Sequence, residues 1–409
     1  MKMLVRYEFL KIVRKRSTLV IMTVSLLITA FFFGLPLMQY QTYDRNGVIR
    51  GFAGIAHDKA QYEKLSVLLT EEYIADTIRE YQKLFENPDN VGYDGNDRFL
   101  IGDAYWDFVA PRETLLYLIA SNYDAPGENT GLNHLPGMDL AGGAGFYEAR
   151  EKKLGQTLDT PSRELTENQK EYWRDLSKRT DVPLHYGWHK GWNMILESFE
   201  LLTFALLAVC IVLAPVFSGE YQAGTDAVIL AGKYGRTKLV TAKIFSSYLF
   251  GVLAFTLHAA VALGLTLGAF GTGGWNLPLQ IEGTAIPYPW TFLQAVLINL
   301  GVIYLVLAAM IGLTLFLSAN MKSPYAVLAV LVPVIFLPMF LSPNGTAGFY
   351  NLTILLLPYR SFMPELGKYI SYRLGGIVWD ALTTRAVFYA GLTALLAPFA
   401  GAGFRRRRS

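Results

Sequence analysis

Six stretches without a single charged residue constrain this chain more than any other feature of its sequence. They run from Thr18 to Met38, Leu201 to Phe217, Ile244 to Phe270, Thr291 to Ala319, Tyr325 to Leu341 and Ala386 to Phe404, and are 17 to 29 residues long. An α-helix rises 1.5 Å per residue, so about 20 apolar residues cross the ~30 Å hydrocarbon core of a bilayer. Inside lipid a lone segment can satisfy its own backbone only as a helix. The runs therefore predict six transmembrane helices, the second extended outward by Ile195, Leu196 and Phe199. Only 17% of the residues are charged, against ~25% in an ordinary soluble domain, which excludes both a wholly soluble protein and a disordered one. A seventh run, Tyr350 to Pro358, has nine residues and suits a re-entrant or interfacial piece. The first run follows a basic stretch, but it outlasts the ~7–15 residue core of a signal peptide. It leads into Met38-Gln39-Tyr40-Gln41 rather than a small-residue cleavage site, which predicts an uncleaved span.

Short basic segments beside spans stay in the cytoplasm. Lys2, Arg6, Lys11, Arg14, Lys15 and Arg16 precede the first span; Lys233, Arg236 and Lys238 follow the second; Lys322 separates the fourth from the fifth; Arg405 to Arg408 close the chain. With six spans all of these bases fall on one side, accompanied by only Glu8, Glu220 and Asp226. The net charge of +3 is thus a cancellation. The expected fold is an all-α membrane protein with both termini cytoplasmic and a mainly helical extracytoplasmic domain between the first two transmembrane helices.

That domain, residues 41–195, carries 17 bases and 25 acids and has no long apolar run. It is large enough for its own core. From His57 onward Leu65, Leu69, Ile74, Ile78, Tyr81 and Phe85 recur at helical spacing until Asn87-Pro88, predicting one amphipathic helix of about eight turns. Further helices are expected from Pro111 to Ser121, Gly145 to Leu158 and Thr166 to Lys178, the last opened by a Thr166 to Gln169 capping box. Asn87 to Asp97 and Tyr123 to Gly145 read as loops. The single cysteine, Cys210, lies in the second span, so no disulfide holds the domain.

Known chemical motifs are absent. There is no phosphate loop, H-E-x-x-H, paired C-x-x-C or G-x-S-x-G, so hydrolysis of a nucleoside triphosphate has to belong to another chain. His185 and His189 stand four apart, but Gly187 and Pro183 disfavour the helix that would align them, and no metal site is assigned. Glu197 and Glu200 lie one turn apart before the second apolar core, and His258 lies in the middle of the third span. Ionisable groups at such depths face protein or water rather than lipid, which makes these three the candidates for a substrate pathway. A neutral imidazole bonded to a neighbouring helix is the plainer reading of His258. The terminal arginines read as a topology signal and a lipid anchor, not a nucleic-acid site.

The loop after the second span runs Ser218-Gly219-Glu220-Tyr221-Gln222-Ala223-Gly224-Thr225-Asp226 through an apolar Ala227 to Leu230 patch to Lys233, Tyr234, Arg236 and Lys238. An acidic start, a Gly-Thr able to cap a short helix and a basic end make an element suited to docking on a soluble partner. Its Phe217-x-x-Glu220-x-x-x-Gly224-Thr225 start, and the Tyr7 to Arg16 opening of the chain, resemble the permeases of ABC-2 type transporters, the membrane subunits of ABC exporters, in particular the sodium-efflux and antibiotic-resistance branch. Where many relatives have a proline before the arginine, this chain has Gly232-Lys233-Tyr234-Gly235.

The resemblance implies an interfacial elbow at 1–17 and transmembrane helices at 18–40, 196–217, 239–270, 291–319, 325–342 and 385–404. It implies a coupling loop at 218–238, an outer loop at 271–290, a cytoplasmic turn at 320–324, an outer segment with a re-entrant hairpin at 343–384 and a basic tail at 405–409. Glu220, Tyr221, Gly224, Thr225, Asp226, Lys233, Tyr234, Arg236 and Lys238 would meet the partner ATPase, which would bind ATP and Mg; this chain would bind no cofactor. A second permease, identical or related, and membrane lipid complete the expected partners, in a bacterial cell membrane. Lipid, peptide, drug and cation remain open as substrates. The rival reading is a membrane-anchored peptide-binding or immunity module acting through the acidic domain.

Overall fold

The computed structural model describes residues 1–409 except 96, 129, 140–144 and 407–409, and the side chain of Arg406. Parts of the two expected loops, and Arg407 and Arg408 of the basic tail, thus lie outside the described residues. The chain opens with α1 (Lys2–Val13) and the long α2 (Arg16–Gln39). The next segment contains β1 (Gln41–Asp44), β2 (Gly47–Arg50), α3 (Gly51–Lys64), β3 (Val67–Leu69), α4 (Glu71–Leu84), β4 (Val91–Asp94) and β5 (Asp97–Leu100). After the single turn α5 (Gly102–Ala104) come α6 (Ala110–Ser121), α7 (Phe146–Leu158), α8 (Glu167–Ser177) and β6 (Leu184–Tyr186).

A nearly continuous helical path then runs through α9 (Lys190–Ser198), a 3₁₀ turn (Phe199–Leu202), α10 (Thr203–Leu213) and α11 (Pro215–Gln222). It is followed by α12 (Asp226–Ala231), α13 (Lys238–Phe270), α14 (Phe292–Asn320) and α15 (Pro324–Phe340). The chain ends with α16 (Phe349–Leu356), α17 (Pro358–Phe362), β7 (Ser371–Leu374), β8 (Ile377–Asp380) and α18 (Ala381–Arg406).

Five helical stretches are long and apolar enough to cross a membrane: Arg16–Gln39, Lys190–Gln222, Lys238–Phe270, Phe292–Asn320 and Ala381–Arg405. The remaining apolar run forms α15, a shorter helix of 17 residues with Pro333 and Pro338 inside it. Helices α14 and α18 pack along each other closely: a Cβ on Gly312 would stand 3.1 Å from Leu396 Cβ and 2.9 Å from the Tyr248 hydroxyl. Small residues let membrane helices gain dispersion contacts where lipid supplies no hydrophobic drive.

The chain is mainly helical with no closed sheet among the described residues, but four two-stranded antiparallel pairs correct the all-α expectation. One of them also breaks the predicted eight-turn helix. After α3 ends at Lys64, Val67 to Leu69 pair with Leu184 to Tyr186, and Thr70 caps α4 by accepting from the Tyr73 N–H at 3.1 Å. Leu69, Leu184, Ile74 and Ile78 are all buried. Both halves feed one core, so the apolar spacing survives a strand that interrupts the helix. The Thr166 to Gln169 box forms as expected at the start of α8.

Residues 41–195 rest on the loops at one end of the long helices. The buried Trp173 of α8 meets Tyr288 and Tyr369 edge-on at 5.6 and 5.7 Å. Its neighbour Tyr172 donates to Asp380 Oδ2 at 2.8 Å, and Gln169 donates to Ser371 Oγ at 3.0 Å, which docks α8 on the β7–β8 hairpin.

Candidate functional site

At the end of the helices remote from the 41–195 segment, α1 lies against the first turns of α13, where Ser246 donates to the Val5 carbonyl at 2.8 Å. Lys243, in the second turn of α13, has a side chain only 3% exposed. An ammonium survives such burial only when paired and fully hydrogen-bonded. Its Nζ donates to Glu8 Oε2 at 3.0 Å and to Glu220 Oε1 at 2.9 Å. Lys11 donates to the same Glu220 oxygen at 2.6 Å, and Thr225 donates to Glu220 Oε2, also at 2.6 Å. Glu220 therefore ties α1, α11, the following turn and α13 into one charged knot. Partial burial opposes the charge on Lys11, yet the Glu220 carboxylate outweighs it and holds this ammonium above the ordinary lysine value.

The loop hanging from this knot turns at Gly224, whose φ of +64° suits glycine. Thr225 takes the N-cap position of α12, but its hydroxyl serves Glu220 instead of a helix N–H, correcting the simple capping expectation. A bond to a carboxylate is stronger than one to a neutral group. Past α12 the backbone folds back so tightly that a Cβ on Gly235 would lie 1.7 Å from the Ile229 carbonyl oxygen. Arg236 Nε reaches the Leu230 carbonyl at 3.4 Å, and Leu230 is the buried foot of α12.

The other side of the loop faces away from the helices. Val228 is 76% exposed and Tyr234 45%. Lys238 and Lys233 lie over the Tyr234 ring at 4.6 and 5.6 Å. The result is an apolar knob ringed by cations. Asp226 stands half-buried at the start of α12. Tyr221 points the opposite way: its hydroxyl donates to the Ala319 carbonyl at 2.7 Å and its ring stacks on Phe404 at 5.7 Å.

Glu197 and Glu200 line a cavity of about 350 Å³ near the 41–195 segment, together with Glu282 and Glu365. Glu282 faces His189 at 2.7 Å, and Glu365 pairs with Lys368 and Arg385 at 2.9 and 3.1 Å. Among the described residues Glu197 and Glu200 meet only neutral donors, Asn193 at 2.9 Å and Tyr359 at 3.4 Å. Their negative charge faces the cavity uncompensated. The 3₁₀ turn that contains Glu200 interrupts the helical path there, a geometry often found at hinges. His258 is fully buried elsewhere. Its Nδ1 donates to the Ala254 carbonyl at 2.8 Å and its Nε2 meets Ser25 Oγ at 3.0 Å, joining α13 to α2. The expected substrate-pathway residues thus separate into a cavity pair and an interhelical bridge.

His185 sits exposed in β6 and His189 just before α9, so no helix face joins them. No group of metal-ligating side chains occurs among the described residues. Sequence reasoning passed over Glu8, Lys11 and Lys243 as partners, and Glu282 and Glu365 as cavity walls. A signal for the first group was present: Glu8 is the one acid before the first apolar run, and Lys243 is a cation at the very start of the third.

A family model described as ABC-2 family transporter protein matches residues 3–402. No curated protein and no solved structure gives a match.

Proposed function

The chain belongs to the ABC-2 transporter family, and from that premise we propose that it is the membrane-spanning permease subunit of an ATP-driven exporter, powered by a separate ATPase chain that binds ATP and Mg. The 17-residue α15 is its sixth span, since ~17 residues is the lower limit for crossing. In this reading both termini lie in the cytoplasm of a bacterial cell, with residues 41–195 outside, which the clustering of basic residues beside the spans supports. A second permease completes the translocation path, and α1 is the interfacial elbow.

One observation carries this reading. The loop from Glu220 to Lys238 turns an exposed knob outward while Glu220 fastens it to α1 and α13. A push on the knob reaches two elements of the membrane part directly. Val228→Asp tests it. The side chain is exposed, so the purified permease should melt unchanged, while association with its ATPase partner falls about tenfold or more. Burying a valine contributes roughly 1.5–3 kcal/mol, and tenfold is 1.4 kcal/mol. Undiminished co-purification and ATPase stimulation would remove the coupling role from this loop.

The uncompensated Glu197 and Glu200 favour a substrate with a positive charge. A cleft of one sign raises the local concentration of its counter-ion by about tenfold or more. Glu197→Gln with Glu200→Gln should reduce export of a cationic dye about tenfold and leave a neutral dye unaffected. Equal loss for both dyes would show that the pair serves structure instead of selection.

A further inference from the structure

A second cavity, of about 570 Å³, lies where the 41–195 segment meets the loops flanking α14 and α18. Its chemistry is the reverse of the acidic one. Lys153 of α7 and Arg163 line it, and no carboxylate does so among the described residues. Neither cation forms an ion pair among the described residues. Lys153 donates to the Ser121 carbonyl; Arg163 donates to the Lys368 carbonyl at 3.0 Å and lies 4.9 Å from the centre of the Tyr369 ring. Asp124, the carboxylate that acts on Lys153 through space, is itself engaged by Thr130 and His134. Desolvation pulls both cations below their ordinary values, as expected for charges held out of water without a counter-charge.

One further polar group belongs to the same wall. The hydroxyl of Thr346, a residue that lines the cavity, is shielded from solvent and has no hydrogen-bond partner among the described residues. A buried donor left without an acceptor costs about 1–3 kcal/mol, so natural structures seldom keep one without a ligand or water to satisfy it. Two cations without a carboxylate partner among the described residues and an idle hydroxyl around a glycine-rich cavity form an incomplete set of donors. What completes it is an oxyanion.

We propose that this cavity binds a phosphate-type anion between Lys153, Arg163 and Thr346, bridging the 41–195 segment to the loop after α15. The loop is already close: a Cβ on Gly345 would lie 3.7 Å from the Ser162 carbonyl oxygen. Thr346 also follows the end of α15, Phe340, by only a few residues. A phospholipid headgroup at the membrane surface and a soluble phosphate offer the same chemistry to the site.

The two sources separate by experiment on the full chain. In detergent, inorganic phosphate is titrated by calorimetry; in nanodiscs, the melting midpoint is compared between phosphatidylcholine alone and phosphatidylcholine with phosphatidylglycerol. Phosphate binding that Lys153→Gln with Arg163→Gln weakens at least tenfold identifies a soluble anion. A phosphatidylglycerol-dependent rise in midpoint that the same variant abolishes, without phosphate binding, identifies the headgroup. Should the double variant fold poorly, Thr346→Val removes only the idle hydroxyl; it should melt no lower than the parent and bind about fivefold more weakly. The proposal is overturned if neither anion has an effect, or if the effect survives both variants.

Discussion

Replacing Lys243 by methionine is expected to destabilise the protein by about 3–5 kcal/mol, the cost of removing one member of a buried ion pair. The physical reason is the pair of carboxylates left behind. Glu8 and Glu220 each lie within 3.0 Å of Lys243 Nζ, and their side chains are only 7% and 11% exposed. Without the ammonium, Glu8 loses its only ion-pair partner among the described residues, while Glu220 keeps Lys11 and Thr225. The double variant Lys243→Met with Glu8→Gln should therefore be more stable than Lys243→Met alone, because it withdraws the stranded charge. Non-additivity of about 1 kcal/mol or more in that cycle, read by denaturant or thermal unfolding in detergent, would measure the coupling. Energised export should fall in the single variant, since α1 loses its hold on α13. A single variant as stable as the parent would mean that Lys243 is solvated and the knot does not exist.

Much of this arrangement was visible in the sequence in its coarse form. Long uncharged runs locate the long helices because a span must be apolar through the hydrocarbon core, and nothing else in the chain imitates that. Helix α15 is the weakest of them, at 17 residues with two internal prolines. The loop from Glu220 to Lys238 was legible as a docking element because its charge changes sign along a short apolar core. Its anchor was not, since Glu8 and Lys243 are 235 positions apart and only the packing of α1 on α13 joins them. The strand at Val67 to Leu69 was hidden for a related reason. Its partner Leu184 to Tyr186 is remote in sequence, and three apolar residues fit a helical pattern as well as a strand. The same holds for the two cavities, whose walls come from segments that no spacing rule connects.

Arg385 gives the other large expected effect, and it too was obscured by its charge. Counting uncharged residues starts the last apolar run at Ala386, whereas α18 begins at Ala381 and carries Arg385 fully buried in its first turns. The guanidinium acts as a staple. Nε and Nη2 both donate to the Leu355 carbonyl, at 3.1 and 3.0 Å; Nη1 donates to the Met363 carbonyl at 2.6 Å; Nη2 also meets Glu365 Oε2 at 3.1 Å. These acceptors belong to the short α16 and to the chain just after α17, pieces that contain the nine-residue apolar run and whose ends leave carbonyls without intrahelical partners. Arg385→Met would strand two carbonyls and leave Glu365 with only the exposed Lys368, for a loss of about 3–5 kcal/mol. Arg385→Lys keeps the charge but cannot reproduce the planar fork, so it should recover only part of that loss. Hydrogen exchange places the effect: amides from 349 to 365 should open much faster in Arg385→Met, while those of α10 and α14 change little. Uniform acceleration across all helices would instead assign Arg385 to the general stability of the bundle, and unchanged exchange would deny that it holds α16 and α17 at all.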